Sequence, residues 1–398
     1  MELGWIDYSK EDRKKVLSVI DLLSEEDTLD ELGIAPIRDG FANLFFPGTS
    51  TIQTRAKYFL IVPYALYCLS LTGETNPGIF LRRLDQLEHE CGQKLADLGE
   101  DGAIGRLSIS RGTWVKRPPS QIYWAGLRSY GIFTAGNMSI REYSHAVCKL
   151  NFEKHNLNRF GNQGHDETVD QDDQKAGREG SLSFWNLPNY PRDTRWVQDL
   201  TLNLSKEEAE FLKNQIEINH PHSLLAFILE HKLINLPASF MDLAELVHLL
   251  PIPLQESYYL AQAFSKFIYG AKIRYNLMLT EYKGRWANEL WEEYALRMEE
   301  YAGLDLEAIF LKLNVANPSL RFFLRNLKAN MLSRNITALD ELIRNREICL
   351  KGMSRARLNR AGQFDHNNWF GGHHLHYRFG DAKIIIDDIF SGLEEKTC

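Results

Sequence analysis

Cysteine is scarce in this chain. Cys68, Cys91, Cys148, Cys349 and Cys398 are scattered, odd in number and form no C-x-x-C pair. That pattern excludes a disulfide framework and a zinc ribbon and fits a reducing, cytoplasmic setting. The first four are expected to be buried free thiols, the usual fate of unpaired cysteine. Long apolar runs are lacking too. The most apolar stretch, Tyr58 to Leu71, is shorter than the roughly 20 residues a spanning helix needs, and it contains Pro63. It reads as a buried helix, so no membrane partner is expected. The N-terminus, Met1-Glu-Leu-Gly-Trp-Ile-Asp, is acidic and has no apolar signal region.

Catalytic signatures are also missing. There is no G-x-x-x-x-G-K-[ST], no G-x-G-x-x-G, no G-x-S-x-G elbow, no H-E-x-x-H, and no paired His-x-Lys of the phospholipase D type. Those families are disfavoured, whereas enzymes with scattered sites are not addressed. No catalytic residue is assigned and no cofactor is expected.

What the chain does have is size and ordinary globular chemistry. It holds 398 residues, 44% hydrophobic and 25% charged, so two or three domains are expected. We divide it into an N-terminal helical domain over 1–152, a polar acidic linker over 153–196 and a C-terminal helical domain over 197–398. The fold class expected is mainly α and multi-helical, with a possible small winged-helix-like element and minor β.

Helix signals recur along the chain. Thr28-x-x-Glu31 and Ser50-x-x-Gln53 read as helix starts, as do Ser139-x-x-Glu142 and Ser205-x-x-Glu208. Pro118-Pro119-Ser120 opens a helix from Gln121 to Tyr130 that Gly131 closes. Further helices are expected over 10–23, 78–98, 139–150, 205–218, 223–231, 240–250, 254–282 and 285–301. Asp199–Leu204 and Ala382–Ile386 look strand-like, and Phe133–Met138 looks hairpin-like.

Charge is segregated. The net charge is −7, yet residues 102–141 contain six basic side chains and no acid. Residues 321–360 contain ten basic side chains against Asp340, Glu341 and Glu347. Such islands create local fields that attract anions. In the first island Arg111, Lys116, Arg117 and Arg128 could neutralise phosphates. Ser120, at a helix N-terminus, could donate to a phosphate. Trp114, Tyr123 or Trp124 could stack on an unpaired base. The bland alternative is a basic surface whose aromatics are simply core. In the second island Arg355, Arg357 and Arg360 could face phosphate or an acidic partner, or form a solvated helix face. Arg55 and Lys57 lie in the first turns expected after Ser50, where a helix start suits anion binding or plain capping.

The segment Asp365-His366-Asn-Asn-Trp369-Phe-Gly-Gly-His373-His374-Leu-His376-Tyr-Arg378 is rich in histidine. Its spacing matches no common zinc pattern, and it reads better as a turn followed by a short strand, so no metal is expected. Asp387-Asp388 evokes nuclease carboxylates only weakly.

Three stretches resemble a bacterial family classed as a domain of unknown function. They are Trp5-Ile-Asp-Tyr-Ser-Lys-Glu-Asp-Arg, Asp30-Glu-Leu-Gly-Ile-Ala-Pro-Ile-Arg-Asp and Phe46-Pro-Gly-Thr-Ser-Thr-Ile-Gln-Thr-Arg-Ala-Lys-Tyr-Phe. The resemblance continues through Arg117-Pro-Pro-Ser-Gln-Ile-Tyr-Trp-Ala-Gly-Leu and covers most of the chain. It implies an accessory protein of defence or mobile islands, beside large helicases, as in a Druantia-like antiphage system. The partners implied are DNA and a helicase or other subunits of a defence complex. The function expected is a non-enzymatic subunit that binds DNA or a helicase partner. The alternatives are a protein-interaction scaffold without nucleic-acid binding and a metal-dependent nuclease using Asp365, His373 and His374.

Overall fold

A computed structural model describes residues 30–161, 184–361, 363–364 and 368–394. The helix expected over 10–23, Thr28 and the acidic run around His165 lie outside the described residues. In chain order the helices are α1 (Ala35–Phe45), α2 (Tyr58–Ser70), α3 (Pro77–Asp97), α4 (Arg106–Ile109), α5 (Pro119–Ser129), α6 (Ile140–Gly161), α7 (Lys206–Asn219) and α8 (Leu224–Glu230). They continue as α9 (Ile252–Leu279), α10 (Arg285–Leu296), α11 (Met298–Ala302), α12 (Leu306–Lys312), α13 (Pro318–Leu332), α14 (Ile336–Lys351) and α15 (Phe379–Glu394). The protein is mainly helical and has no sheet among the described residues. One isolated antiparallel bridge, Phe133 to Trp185, stands where a hairpin was expected, so no wing forms.

Contacts gather the chain into two units. One takes residues up to Phe41 together with Ala244–Tyr377, and the other takes Ala42–Leu243 together with the chain from Arg378 onward. Each is therefore assembled from separated stretches of sequence.

In the unit containing Ala42–Leu243, α2 is buried on nearly every side and packs against α3 and α5. That follows from its composition, since Tyr58-Phe-Leu-Ile-Val-Pro-Tyr-Ala-Leu has no polar face to present. α15 packs along α7 and α8. Phe379, Ala382, Ile385, Ile386, Ile389 and Phe390 recur at helical spacing and are buried, which makes Ala382–Ile386 helix and not strand. A short apolar run is ambiguous in isolation, and the face offered by α7 decides it. A Cβ added at Gly392 would lie 2.8 Å from the Ala209 Cβ, so the close helix approach requires glycine there. An aromatic cluster of Trp124, Phe133, Tyr143 and Trp185 fills the space between α5 and α6. Phe184 and Trp185 thus pack by their rings as the sequence suggests.

The other unit surrounds α9, whose last ten residues, Gly270 to Leu279, are all buried. α10, α11 and α14 pack on α9, and α13 packs on α14. Of the buried cations in this unit, Lys272 and Arg346 donate to backbone carbonyls, whereas Arg274 is ion-paired. Arg274 meets Asp340 and lies under the rings of Tyr282 and Trp291.

The capping signals mostly locate helix starts. Ser205 and Glu208 form a reciprocal capping box, and Ser139 and Glu142 exchange the same two bonds. Gly131, at φ +66°, closes α5. Ser50–Gln53 differs. The Ser50 N–H donates to Gln53 Oε1, but Gln53 donates onward to the Gly48 carbonyl and the chain turns instead of starting a helix until Tyr58. α6 runs past Leu150 to Gly161. Residues 240–250 form two short 3-10 turns in place of one helix, and Arg297 interrupts the segment 285–301. Asp199–Leu204 is not strand, and neither is 374–378. Cys68, Cys91 and Cys148 are buried as expected, whereas Cys349 is exposed on the outer side of α14.

Candidate nucleic-acid interface

The site begins with the polar stripe of α3. Asn76 caps this helix by accepting from the Gly78 and Ile79 N–H groups, and Pro77 occupies its first turn. Phe80, Leu84, Leu87, Cys91 and Leu95 form the buried stripe. Arg82, Asp85, Gln86 and His89 face outward. After α3 the chain makes the short helix α4, turns at Gly112 and brings Trp114 back onto α3.

Trp114 is wedged by its six-membered ring. A Cβ at Gly92 would lie 2.8 Å from Cη2 and Cζ3 of the ring, and one at Gly105 would lie 2.6 Å from Cζ3. Gly105 also has φ +87°, which disfavours any side chain there. The indole Nε1–H is buried and finds no hydrogen-bond acceptor among the described residues. The imidazole of His89 lies 5.0 Å from the Trp114 ring, centroid to centroid, and tilted by 53°. Leu81, Arg82, Asp85, Gln86, His89 and Trp114 together line a groove of about 540 Å³.

Exposed cations flank Trp114 in the sequence. Arg111 precedes it, and Lys116 and Arg117 follow it. Among the described residues the side chains of these three form no ion pair, in contrast to Arg106, which reaches Asp101 at 3.7 Å. The segment presents cationic charge that the protein itself does not neutralise.

The other candidate residues of this unit, Ser120, Tyr123, Trp124, Arg128, Arg55 and Lys57, are engaged internally. The Ser120 N–H donates to Glu88 at 2.5 Å and its hydroxyl donates at 3.0 Å, so a carboxyl group of α3 occupies the α5 N-terminus. Burial pushes the Glu88 carboxyl up to about 8, against the pull of these two hydrogen bonds. The Tyr123 ring is fully buried against Tyr58 and Phe59, and its hydroxyl accepts from the Thr54 and Arg55 N–H groups. Trp124 is buried, and its Nε1–H donates to the Met138 carbonyl. Arg128 is half-buried and reaches the Asn137 carbonyl at 3.4 Å. Arg55 pairs with Asp388 of α15 at 2.9 Å, and the same carboxylate accepts from the Ala56 N–H at 2.8 Å. Lys57 pairs with Glu208 at 2.5 Å.

Arg355, Arg357 and Arg360 belong to the other unit. Arg357 donates to Glu31 at 3.1 Å, and its guanidinium lies over the Phe370 ring. The exposed Arg355 donates back to the Lys351 carbonyl, and Arg360 is half-buried in a 3-10 turn. The fully buried Glu347 holds this turn by accepting from the Arg357 and Leu358 N–H groups and from the Tyr275 hydroxyl. Of the histidine-rich segment, Asp365 and His366 lie outside the described residues. Among the described residues no group of three or more His, Cys, Asp or Glu is placed to hold a metal. His373 stacks on Trp369 at 4.8 Å, and burial, helped by Lys272, pulls His374 down to about 4.

Sequence reasoning isolated Trp114 and its flanking cations but missed the α3 stripe. Arg82, Asp85, Gln86 and His89 carried only the signal of a polar helix face, which gives no hint that Trp114 folds onto it. No helix among the described residues is long and apolar enough to cross a membrane.

Residues 1–289 match a family described as a family of unknown function, DUF6361. No curated protein matches the chain, and no solved structure does.

Proposed function

Because the chain belongs to the DUF6361 family, whose function is unknown, we propose its role from its own surface: a non-enzymatic accessory subunit that binds nucleic acid. Arg111, Lys116 and Arg117 contact phosphates, and the α3 groove with Trp114 adjoins them. The observation that carries this reading is the contrast between these three exposed cations and Arg55, Lys57 and Arg357, each of which meets a carboxylate of the chain itself. A cation left without an internal partner is available for counterion exchange with a phosphate backbone. The setting implied by the family resemblance, a bacterial antiphage complex with a helicase, is part of the proposal.

Fluorescence anisotropy with single- and double-stranded DNA at two salt concentrations tests it. Binding should weaken steeply with salt. The triple variant R111A/K116A/R117A should lower the slope of log K against log salt by roughly 2–3, at roughly 0.7–0.9 per phosphate contact. Wild-type protein that binds neither form, alone or with the products of neighbouring genes, would exclude the reading.

A second reading, an interaction scaffold, is favoured by a different observation. Leu296, Leu311 and Phe322, in the unit containing Ala244–Tyr377, are largely exposed. Capture of partner subunits that survives nuclease treatment, with no DNA binding, would favour it.

A further inference from the structure

The groove beside the cations has a composition of its own. Arg82 has no ion pair and Asp85 no hydrogen bond or ion pair among the described residues, although the two sit one helical turn apart on the same stripe. Gln86 holds only a long contact with Glu90, at 3.5 Å. One wall therefore offers a guanidinium and a carboxylate without internal partners and an amide held only by that long contact. The other wall is the Trp114 ring, and His89 lies exposed against it. The two rings meet at a 53° tilt, so the exposed imidazole keeps a ring face open for stacking beside the indole. Polar groups of both signs beside a platform suit the edge of a heterocycle with donors and acceptors, and do not suit a phosphate alone.

We infer that this groove takes one unpaired nucleobase of a single-stranded nucleic acid, stacked on His89 beside Trp114, while Arg111, Lys116 and Arg117 hold the adjoining phosphates. The inference rests on the nucleic-acid reading above and narrows it to a substrate class. Charge complementarity supports it, because the segment that supplies the indole also supplies the free cations on both sides of it. The glycines at 92 and 105 fix the indole that forms this wall of the groove. Asp85 can accept from a ring N–H or an exocyclic amino group, and Gln86 can do either task. A duplex keeps its bases paired and stacked and cannot offer one to the groove.

The test compares a short single-stranded DNA oligonucleotide with an abasic oligonucleotide of the same length and charge. The full-length chain is used, with anisotropy read at about 50 mM salt, low enough for phosphate contacts to register. The base-bearing strand should bind about 10-fold tighter, the order expected for a single stacked base. H89A should erase that preference, and H89F should restore it, because the phenyl ring stacks without the imidazole's polar nitrogens. His89 is exposed, so neither variant disturbs the core. Equal binding of the two strands, or a preference that H89A leaves intact, overturns the base-binding groove while leaving the phosphate reading standing. Binding of neither strand overturns the base-binding groove, and the phosphate reading falls with it if double-stranded DNA is not bound either, alone or with the products of neighbouring genes.

Discussion

Glu88→Gln should flatten the pH dependence of stability in the unit that contains α3 and α5. The carboxyl is 1% exposed, has no cation beside it, and is held by the Ser120 N–H and hydroxyl. Burial raises it from the ordinary 4.5 to about 8. Between those two values the folded chain keeps a proton that the unfolded chain has released. The stability it contributes is full below pH 4.5 and is lost as pH rises through 8. At about 1.4 kcal/mol per pH unit, the loss reaches roughly 5 kcal/mol by about pH 9. Glutamine keeps an oxygen for the Ser120 N–H and has no charge to desolvate. E88Q should therefore equal the wild type near pH 5 and exceed it near pH 9. Amide exchange of α3 and α5, followed across this range, reads the effect within one unit. Lys272 and His374, which burial also perturbs, belong to the other unit. Parallel pH profiles for the two proteins would refute the assignment of a buried, protonated Glu88.

Asp388→Ala leaves Arg55 and the Ala56 N–H without their shared carboxylate. It should cost roughly 3 kcal/mol in urea unfolding, more than R55A/D388A measured against R55A alone. Gly105→Ala places a methyl against the Trp114 ring at a positive φ, and a loss of about 1–3 kcal/mol is expected. The same substitution should weaken single-stranded DNA binding if the indole platform contributes. A Gly105→Ala protein with an unchanged melting temperature would contradict the wedge.

The sequence was informative wherever a local rule suffices. A cap needs only its own turn, so Ser139-x-x-Glu142 and Ser205-x-x-Glu208 were readable as helix starts and are so in the structure. The helical class followed from apolar spacing. The strand expected at Ala382–Ile386 failed because Ile384-Ile-Ile satisfies either period until a neighbour is present, and α7 supplies the helical one. Ser50–Gln53 has the right pair of side chains, yet Gln53 turns back to the Gly48 carbonyl and the chain stays in turns until Tyr58.

Within the basic island the sequence by itself determined how much charge there is and where the ring systems lie along the chain. It could not determine which cations are spent. Arg55 finds its partner in Asp388, more than three hundred residues away, and Lys57 finds Glu208 across the intervening helices α2 to α6. Tyr123 and Trp124 have composition identical in kind to Trp114, but they face the core because α5 turns that side toward α2 and α6. Coulomb attraction and burial depend on distance and on solvent, and the tertiary structure alone decides both. It leaves Arg111, Lys116 and Arg117 facing water, and it brings His89 to the one indole of that segment that is not enclosed.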